Sequence, residues 1–179
     1  MVKLSMDKFA DKKVFIYGVP GSGKTYLSQK IANDLNLPLF EADTLKEPLR
    51  RLTTKEESPF LFLGTNQAFS QFGKLNTENV ARGLKAVRRA LSDAVNKEIQ
   101  GRDKVVVEGA FLDPNLLKND GKLILIITSS EKQHRDQFFK NRKENQENLE
   151  EFKAARINQE FLIKEAQNLN VEIMENEKF

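Results

Sequence analysis

Eight consecutive residues limit this chain more than anything else in it. Gly18, Val19, Pro20, Gly21, Ser22, Gly23, Lys24 and Thr25 satisfy the pattern G-x-x-x-x-G-K-[ST] without a mismatch. An apolar, β-forming run from Lys13 to Gly18 precedes them. Leu27, Ile31, Ala32 and Leu35 follow at helical spacing, and Pro38 bounds that helix. Strand, glycine-rich turn and helix in this order make a loop whose backbone N–H groups converge on phosphate oxygens. The helix adds the positive end of its dipole. Lys24 is the point charge for β- and γ-phosphates, and the Thr25 hydroxyl is placed to join a Mg²⁺ shell. Gly18, Pro20, Gly21, Ser22, Gly23, Lys24, Thr25 and Tyr26 are therefore the candidate nucleotide-binding residues. A chance Gly-rich turn would need both the strand and the helix to fall in register by accident.

The remaining elements alternate in type. Leu39 to Glu41 reads as a short strand, and Leu45 to Leu52 as a short helix with Pro48 in its first turn. Ser58 and Pro59 open an apolar stretch to Leu63, and the segment from Gly64 to Gly73 is mixed. Asn76 or Thr77 caps a long helix with Val80, Leu84, Val87, Leu91 and Val95 on one stripe. Arg82, Lys85, Arg88 and Arg89 read as its solvated face. Val105 to Val107 and Leu123 to Ile127 are apolar runs of the kind buried in a parallel sheet. Ser130 with Gln133 forms a capping box for a polar helix. A helix from about Leu149 to Leu169 and a strand from Val171 to Ile173 complete the chain. The predicted architecture is α/β, with a mostly parallel sheet of about five strands covered on both faces.

A chain of 179 residues fits one domain. We expect residues 1–12 to be an N-terminal extension, 44–100 a helical acceptor-binding region and 131–147 a lid, polar and poorly anchored. Cysteine is absent, which excludes disulfides and thiolate zinc sites and fits a cytoplasmic protein. No apolar run is long enough to span a membrane. A net charge of +3 and a pI near 9 are a weak hint of anionic partners.

In an open parallel sheet, ligands sit beyond the carboxyl ends of the strands. Asp43 follows the second strand and Glu108 ends the third, so both should face the crevice that the loop opens into. Asp43 is a candidate base or orienting group for an attacking hydroxyl; the competing reading makes it a helix N-cap. Glu108 is a candidate for holding metal-bound water or substrate. Arg135 and Arg142, on the polar helix after the fourth strand, are candidates for stabilising charge on a transferring phosphoryl group. His134, the only histidine, reads as structural.

With these segments in order, the chain resembles the 2-phosphoglycerate kinase-like group of P-loop kinases. The resemblance runs beyond the loop, through Asp43 to Arg50, Val105 to Leu112, Glu131 to Phe138 with Arg142, Phe152 to Leu162, and Val171 to Ile173. It implies a P-loop NTPase kinase fold with a helical lid and ATP- and Mg²⁺-dependent transfer of the γ-phosphoryl group to a small-molecule hydroxyl. The acceptor it implies is 2-phosphoglycerate or a related acid. On this reading Asp43, Lys46, Arg50, Glu108 and Arg156 meet the acceptor, Thr25 and Glu108 the metal. Two departures stand out: Phe111 occupies a position where that group often carries His, and Lys46 one where it often carries Arg. Two other readings stay open. One is a kinase acting on a nucleotide or on RNA ends; the other is a nucleotide-binding protein with no acceptor.

Overall fold

A computed structural model describes residues 13–140 and 148–176. The strands are β1 (Lys13–Tyr17), β2 (Leu39–Glu41), β3 (Val106–Glu108), β4 (Gly121–Ile127) and β5 (Glu172–Glu175). The helices are α1 (Lys24–Leu35), α2 (Lys46–Arg50), α3 (Pro59–Phe62), α4 (Thr77–Ile99), α5 (Pro114–Leu117), α6 (Glu131–Phe139) and α7 (Leu149–Asn168). Short 3₁₀ turns occupy Ala42–Leu45 and Ala68–Gln71.

All five strands are parallel, in the order β2-β3-β1-β4-β5. The order reverses at β1, so the crevice at the strand ends opens beside the loop that follows it. Side chains alternate across β1, and both of its faces are apolar because both are covered. Val14 and Ile16 pack with Leu27 and Ile31 of α1. Phe15 and Tyr17 turn the other way, into the larger core with Leu84, Val87 and Leu91 of α4 and Ala155 and Leu162 of α7. Among the described residues no helix is long and apolar enough to cross a membrane.

Several local expectations are corrected. The first helix ends at Asn36, which takes a left-handed conformation and returns its N–H to Ala32 and Asn33, before Pro38 is reached. The expected Leu45–Leu52 helix is a 3₁₀ turn followed by the five residues of α2. Arg88 is not on a solvated face. It is 2% exposed and holds Glu165 of α7 through two 2.9 Å hydrogen bonds. Ser130 does cap α6 by accepting from the Gln133 N–H. The other half of the capping box is not seen among the described residues, and the Gln133 side-chain N–H donates to the Asn176 carbonyl. The last strand begins and ends later than expected, at 172–175, where Asn176 N–H still bonds Ile127. The turn of α5, started by Asp113 and Pro114, was not anticipated.

The described part of the expected lid, residues 131–140, is better anchored than its composition suggests. Phe138 is buried at its centre, and the rings of Phe138, Phe139 and Phe152 meet at 5.0–5.9 Å. Arg142 and residues 141–147 of the expected lid lie outside the described residues, as does the 1–12 extension.

Candidate nucleotide and acceptor site

The loop from Gly18 to Thr25 leaves the end of β1 and tightens when Ser22 N–H bonds the Val19 carbonyl at 3.1 Å. Gly21 and Gly23 have φ of 81° and 91°, which side-chain-bearing residues rarely adopt. Close approach requires them as well. A Cβ on Gly21 would lie 2.9 Å from the Phe138 Cα of α6, and one on Gly23 would meet the Asn176 side chain. The N-terminus of α1 has neither a side-chain cap nor an acidic residue in its first turn. Its N–H groups are left for an anion. Ser22 Oγ is buried with no hydrogen-bond partner among the described residues.

Three distant elements brace this loop. His134 Nε2 of α6 lies 2.9 Å from the Pro20 carbonyl, and the Arg156 guanidinium of α7 lies 3.4 Å from His134 Nδ1. Arg156 also donates to the Thr128 and Ser129 carbonyls at 2.8 and 3.3 Å. The Gln159 amide clamps both backbone groups of Thr128, whose hydroxyl reaches the Ser22 carbonyl at 3.5 Å. Asn176, just past β5, donates to Thr128 Oγ1 and to Gln137. Sequence reasoning missed Asn176, Gln159 and the bracing role of His134. Each acts on a partner remote in the chain.

At the mouth of the loop the Thr25 hydroxyl lies 3.2 Å from both oxygens of Glu108. Register places Glu108 between Ile16 of β1 and Glu41 of β2. Burial pushes the Glu108 carboxyl above its ordinary range. The Lys24 charge and the Thr25 hydrogen bond pull it back, and the charges of Glu41 and Asp43 push it up further. A cation arriving beside it would stabilise the ionised form.

Asp43 lies inside the 3₁₀ turn after β2, and its side chain caps no helix; the turn's own cap position is Glu41, without a side-chain bond. The N-cap reading is therefore not met. The Asp43 carboxylate is half exposed and pairs with Lys46 at 2.5 Å. Lys46 Nζ sits 4.9 Å from the centre of the Phe111 ring. Arg50 donates from Nε to the Leu61 carbonyl at 2.8 Å and lies over Phe62. Arg135 is exposed, near the Phe139 ring. Tyr26 is 49% exposed on the outer side of α1. Thus Lys24, Thr25, Glu108 and Asp43 converge electrostatically at the strand ends. Lys46 joins them through Asp43, while Tyr26 and Arg50 lie on separate contacts.

The fold has known counterparts. TT1252 from Thermus thermophilus aligns over 94% of this chain and 90% of its own, with a TM-score of 0.55 at 15% identity. Shikimate kinase from Acinetobacter baumannii, solved in complex with shikimate, aligns over 97% and 89%, with a TM-score of 0.55 at 17% identity. Deoxyadenosine kinase from M. mycoides, solved with bound dATP, aligns over 92% and 89%, with a TM-score of 0.50 at 16% identity. At these identities the likeness is one of fold: the P-loop kinase fold. In sequence, shikimate kinase from Brucella canis is 44% identical over 45 residues, which are 25% of this chain and 22% of that relative's length. The family model described as "ATPase family associated with various cellular activities (AAA)" matches residues 14–151. That span takes in the phosphate loop, Asp43, Glu108 and α6 together, and the chain belongs to this family of P-loop NTPases.

Proposed function

We propose that the chain is an ATP- and Mg²⁺-dependent kinase that transfers the γ-phosphoryl group to a hydroxyl of a small molecule. The observation that carries this reading is the pairing of Thr25 with Glu108 at the loop's mouth, with the Asp43 carboxylate beyond β2 acting on the same site. Phosphoryl transfer is mostly positioning and charge stabilisation, and this crevice supplies both.

The loop's N–H groups and Lys24 hold the phosphates. A Thr hydroxyl beside one buried carboxylate is a hard-oxygen pair that suits Mg²⁺, which keeps waters and phosphate oxygens for its other positions. Among the described residues no cluster of three or more His, Cys, Asp or Glu is built to hold a metal. Thr25 and Glu108 would hold the ion, directly or through water. When bound, it supplies charge neutralisation at the β- and γ-oxygens. Asp43 accepts the proton of the acceptor hydroxyl as its oxygen bonds to the γ-phosphorus. The bond from that phosphorus to the β,γ-bridging oxygen breaks, and ADP leaves. Lys46 must release Asp43 for this step, and an anionic acceptor offers it an alternative partner. Arg156, held beside the loop, and Arg135 or Arg142 on the lid balance charge on the moving group.

Residues 44–100 form the acceptor-binding region on this reading and 131–147 the lid that excludes water. A cytoplasmic pool of ATP would serve the reaction. The acceptor is 2-phosphoglycerate or a related acid. The Lys46 ammonium beside Asp43 supports an anionic substrate. Phe111 narrows the choice toward acids that need no imidazole contact there.

The test is an acceptor screen read by mass spectrometry, with ATP and Mg²⁺ and a panel of hydroxy acids, phosphorylated acids, nucleosides and RNA 5′ ends. Expected is one phosphorylated small acid. A phosphorylated nucleoside or RNA product would replace the acceptor class, and ATP binding with no product would replace the kinase reading.

A further inference from the structure

His134 is the only histidine of the chain and is fully buried where α6, α7 and the phosphate loop meet. A carbonyl can only accept, so the 2.9 Å contact with Pro20 puts the ring proton on Nε2. Nδ1 is then an acceptor, and the Arg156 guanidinium faces it at 3.4 Å. Phe152 and Phe138 fix the plane of the ring, at 5.2 and 6.2 Å between centroids. Both nitrogens are therefore satisfied only by the neutral ring in a single tautomer.

The contact falls at a telling peptide. The Pro20–Gly21 bond is trans, like every described peptide bond, so anchoring its carbonyl aims the Gly21 N–H the opposite way, away from His134. Gly21 N–H belongs to the set that a phosphate loop must converge on its ligand. The absence of a Cβ at Gly21 lets the α6 backbone come close enough for the contact to form.

We propose that His134 is a positioning residue of the nucleotide site: its neutral imidazole ties the Pro20 carbonyl to Arg156 of α7 and thereby presents the Gly21 N–H to the phosphates. The inference rests on the loop being a nucleotide site. It goes beyond that reading in giving the chain's one histidine a part in binding, through the loop, without touching ligand. Charge on the ring breaks the Arg156 half of the tie, while Nε2–H can still donate to Pro20. A cationic imidazole carries N–H on both nitrogens and turns one of them toward the Arg156 cation. Burial holds the His134 pKa below the ordinary 6.5; the Pro20 hydrogen bond opposes this, Arg156 adds to it, and Glu131 of α6 opposes it. The Arg156 half of the tie is intact above that lowered pKa and is lost as pH falls through it.

Calorimetric titration of ATP with Mg²⁺ tests this on the wild-type protein, His134→Leu and His134→Gln. Gln can donate to Pro20 from an amide near the Nε2 position. His134→Leu is expected to weaken ATP binding about tenfold, the order lost with one buried hydrogen bond to a binding loop. His134→Gln is expected to stay within about threefold of wild type. Wild-type affinity should fall more than that of His134→Gln, in which residue 134 cannot titrate, as pH falls below 6.5 and through the lowered His134 pKa. A folded His134→Leu that binds ATP like wild type, even if it melts earlier, overturns the proposal. If His134→Leu does not fold, parallel pH profiles for wild type and His134→Gln overturn it. A wild-type protein that binds no nucleotide overturns the loop reading and this one together, whereas normal wild-type binding with an indifferent His134 overturns this one alone.

Discussion

The two walls of the crevice are held in different ways. On the nucleotide wall, loop residues are gripped from far along the chain: Pro20 by His134, Ser22 by Thr128 and Thr25 by Glu108. On the acceptor wall, many ties are local: Lys46 to Asp43, Arg51 to Glu47, and Thr53 and Thr54 to Glu57. Its helices α2 and α3 have five and four residues, too short to be stable without packing. Arg50 to Leu61, Gln67 to Glu151 and Asn158 to Thr65 are among its longer ties. The contrast suits a kinase. Phosphates are common to every turnover and can be met by a pre-set cradle, while a wall with many short-range ties suits, on the proposed reading, an element that closes on its acceptor.

The largest effect expected falls on the pre-set wall. Lys24→Ala should lower phosphoryl transfer by about 10³-fold or more, since it removes the charge that meets the transferring group. Lys24 is not a core residue, so the melting temperature should stay close to wild type. Turnover measured beside a thermal melt decides this. A folded variant with normal turnover would remove the loop from catalysis and dissolve the comparison.

On the acceptor wall, Asp43→Asn should lower kcat by about 10²-fold, the usual scale for losing a general base, and leave ATP affinity within a few fold. Parallel loss of ATP affinity would mean that the two walls are not separable. Stability should hardly move, because Asp43 is half exposed and caps nothing.

Glu108 stands where the walls meet, and function and stability should part there. Its carboxyl is pushed above its ordinary value by burial. A carboxyl whose pKa is raised on folding favours the folded state below its unfolded pKa, and that contribution is lost as pH rises through the folded value. At neutral pH the buried charge is therefore a cost. Glu108→Gln in nucleotide-free protein should melt higher than wild type at pH 7, with a smaller gain near pH 4. It should lower kcat about tenfold or more, with weaker dependence on Mg²⁺. Equal melting curves at both pH values would show that the site is already solvated.

Much of the nucleotide wall was legible because its signals are contiguous: an apolar strand, an eight-residue pattern and a helix. The strands at 106–108 and 121–127 were legible for the same reason, being runs without polar alternation. The braces were not. Arg88 sits one residue after Val87 on the flank of an apolar stripe, and its partner Glu165 is 77 positions away. His134 lies on a helix that reads as polar, and its partner Pro20 is 114 positions away. Gln133 shows this too: its side-chain N–H goes to the Asn176 carbonyl, 43 positions on. Local pattern states what a residue can bond, and packing decides which partner it gets. Asp113 followed by Pro114 did carry a readable helix-start signal for α5.

The smallest effect expected concerns Lys46. Its ammonium pairs with Asp43 and sits against the Phe111 ring, and its side chain is largely covered. A covered Lys invites the reading that it holds the acceptor wall together. The pair argues otherwise: Asp43 is open to water, the two are three residues apart, and exposed pairs contribute about 0–1 kcal/mol. Much of the covered surface belongs to the aliphatic stem, which methionine can replace against Phe111. Lys46→Met should therefore cost less than about 1 kcal/mol in chemical denaturation. It should raise the KM of an anionic acceptor while leaving that of ATP unchanged. A loss of several kcal/mol would mean that the acceptor wall is braced as firmly as the nucleotide wall, by a Lys46 contact stronger than its exposed partner allows. A raised KM for ATP instead would place the Lys46 charge on the phosphates and move the boundary between the walls to the far side of β2.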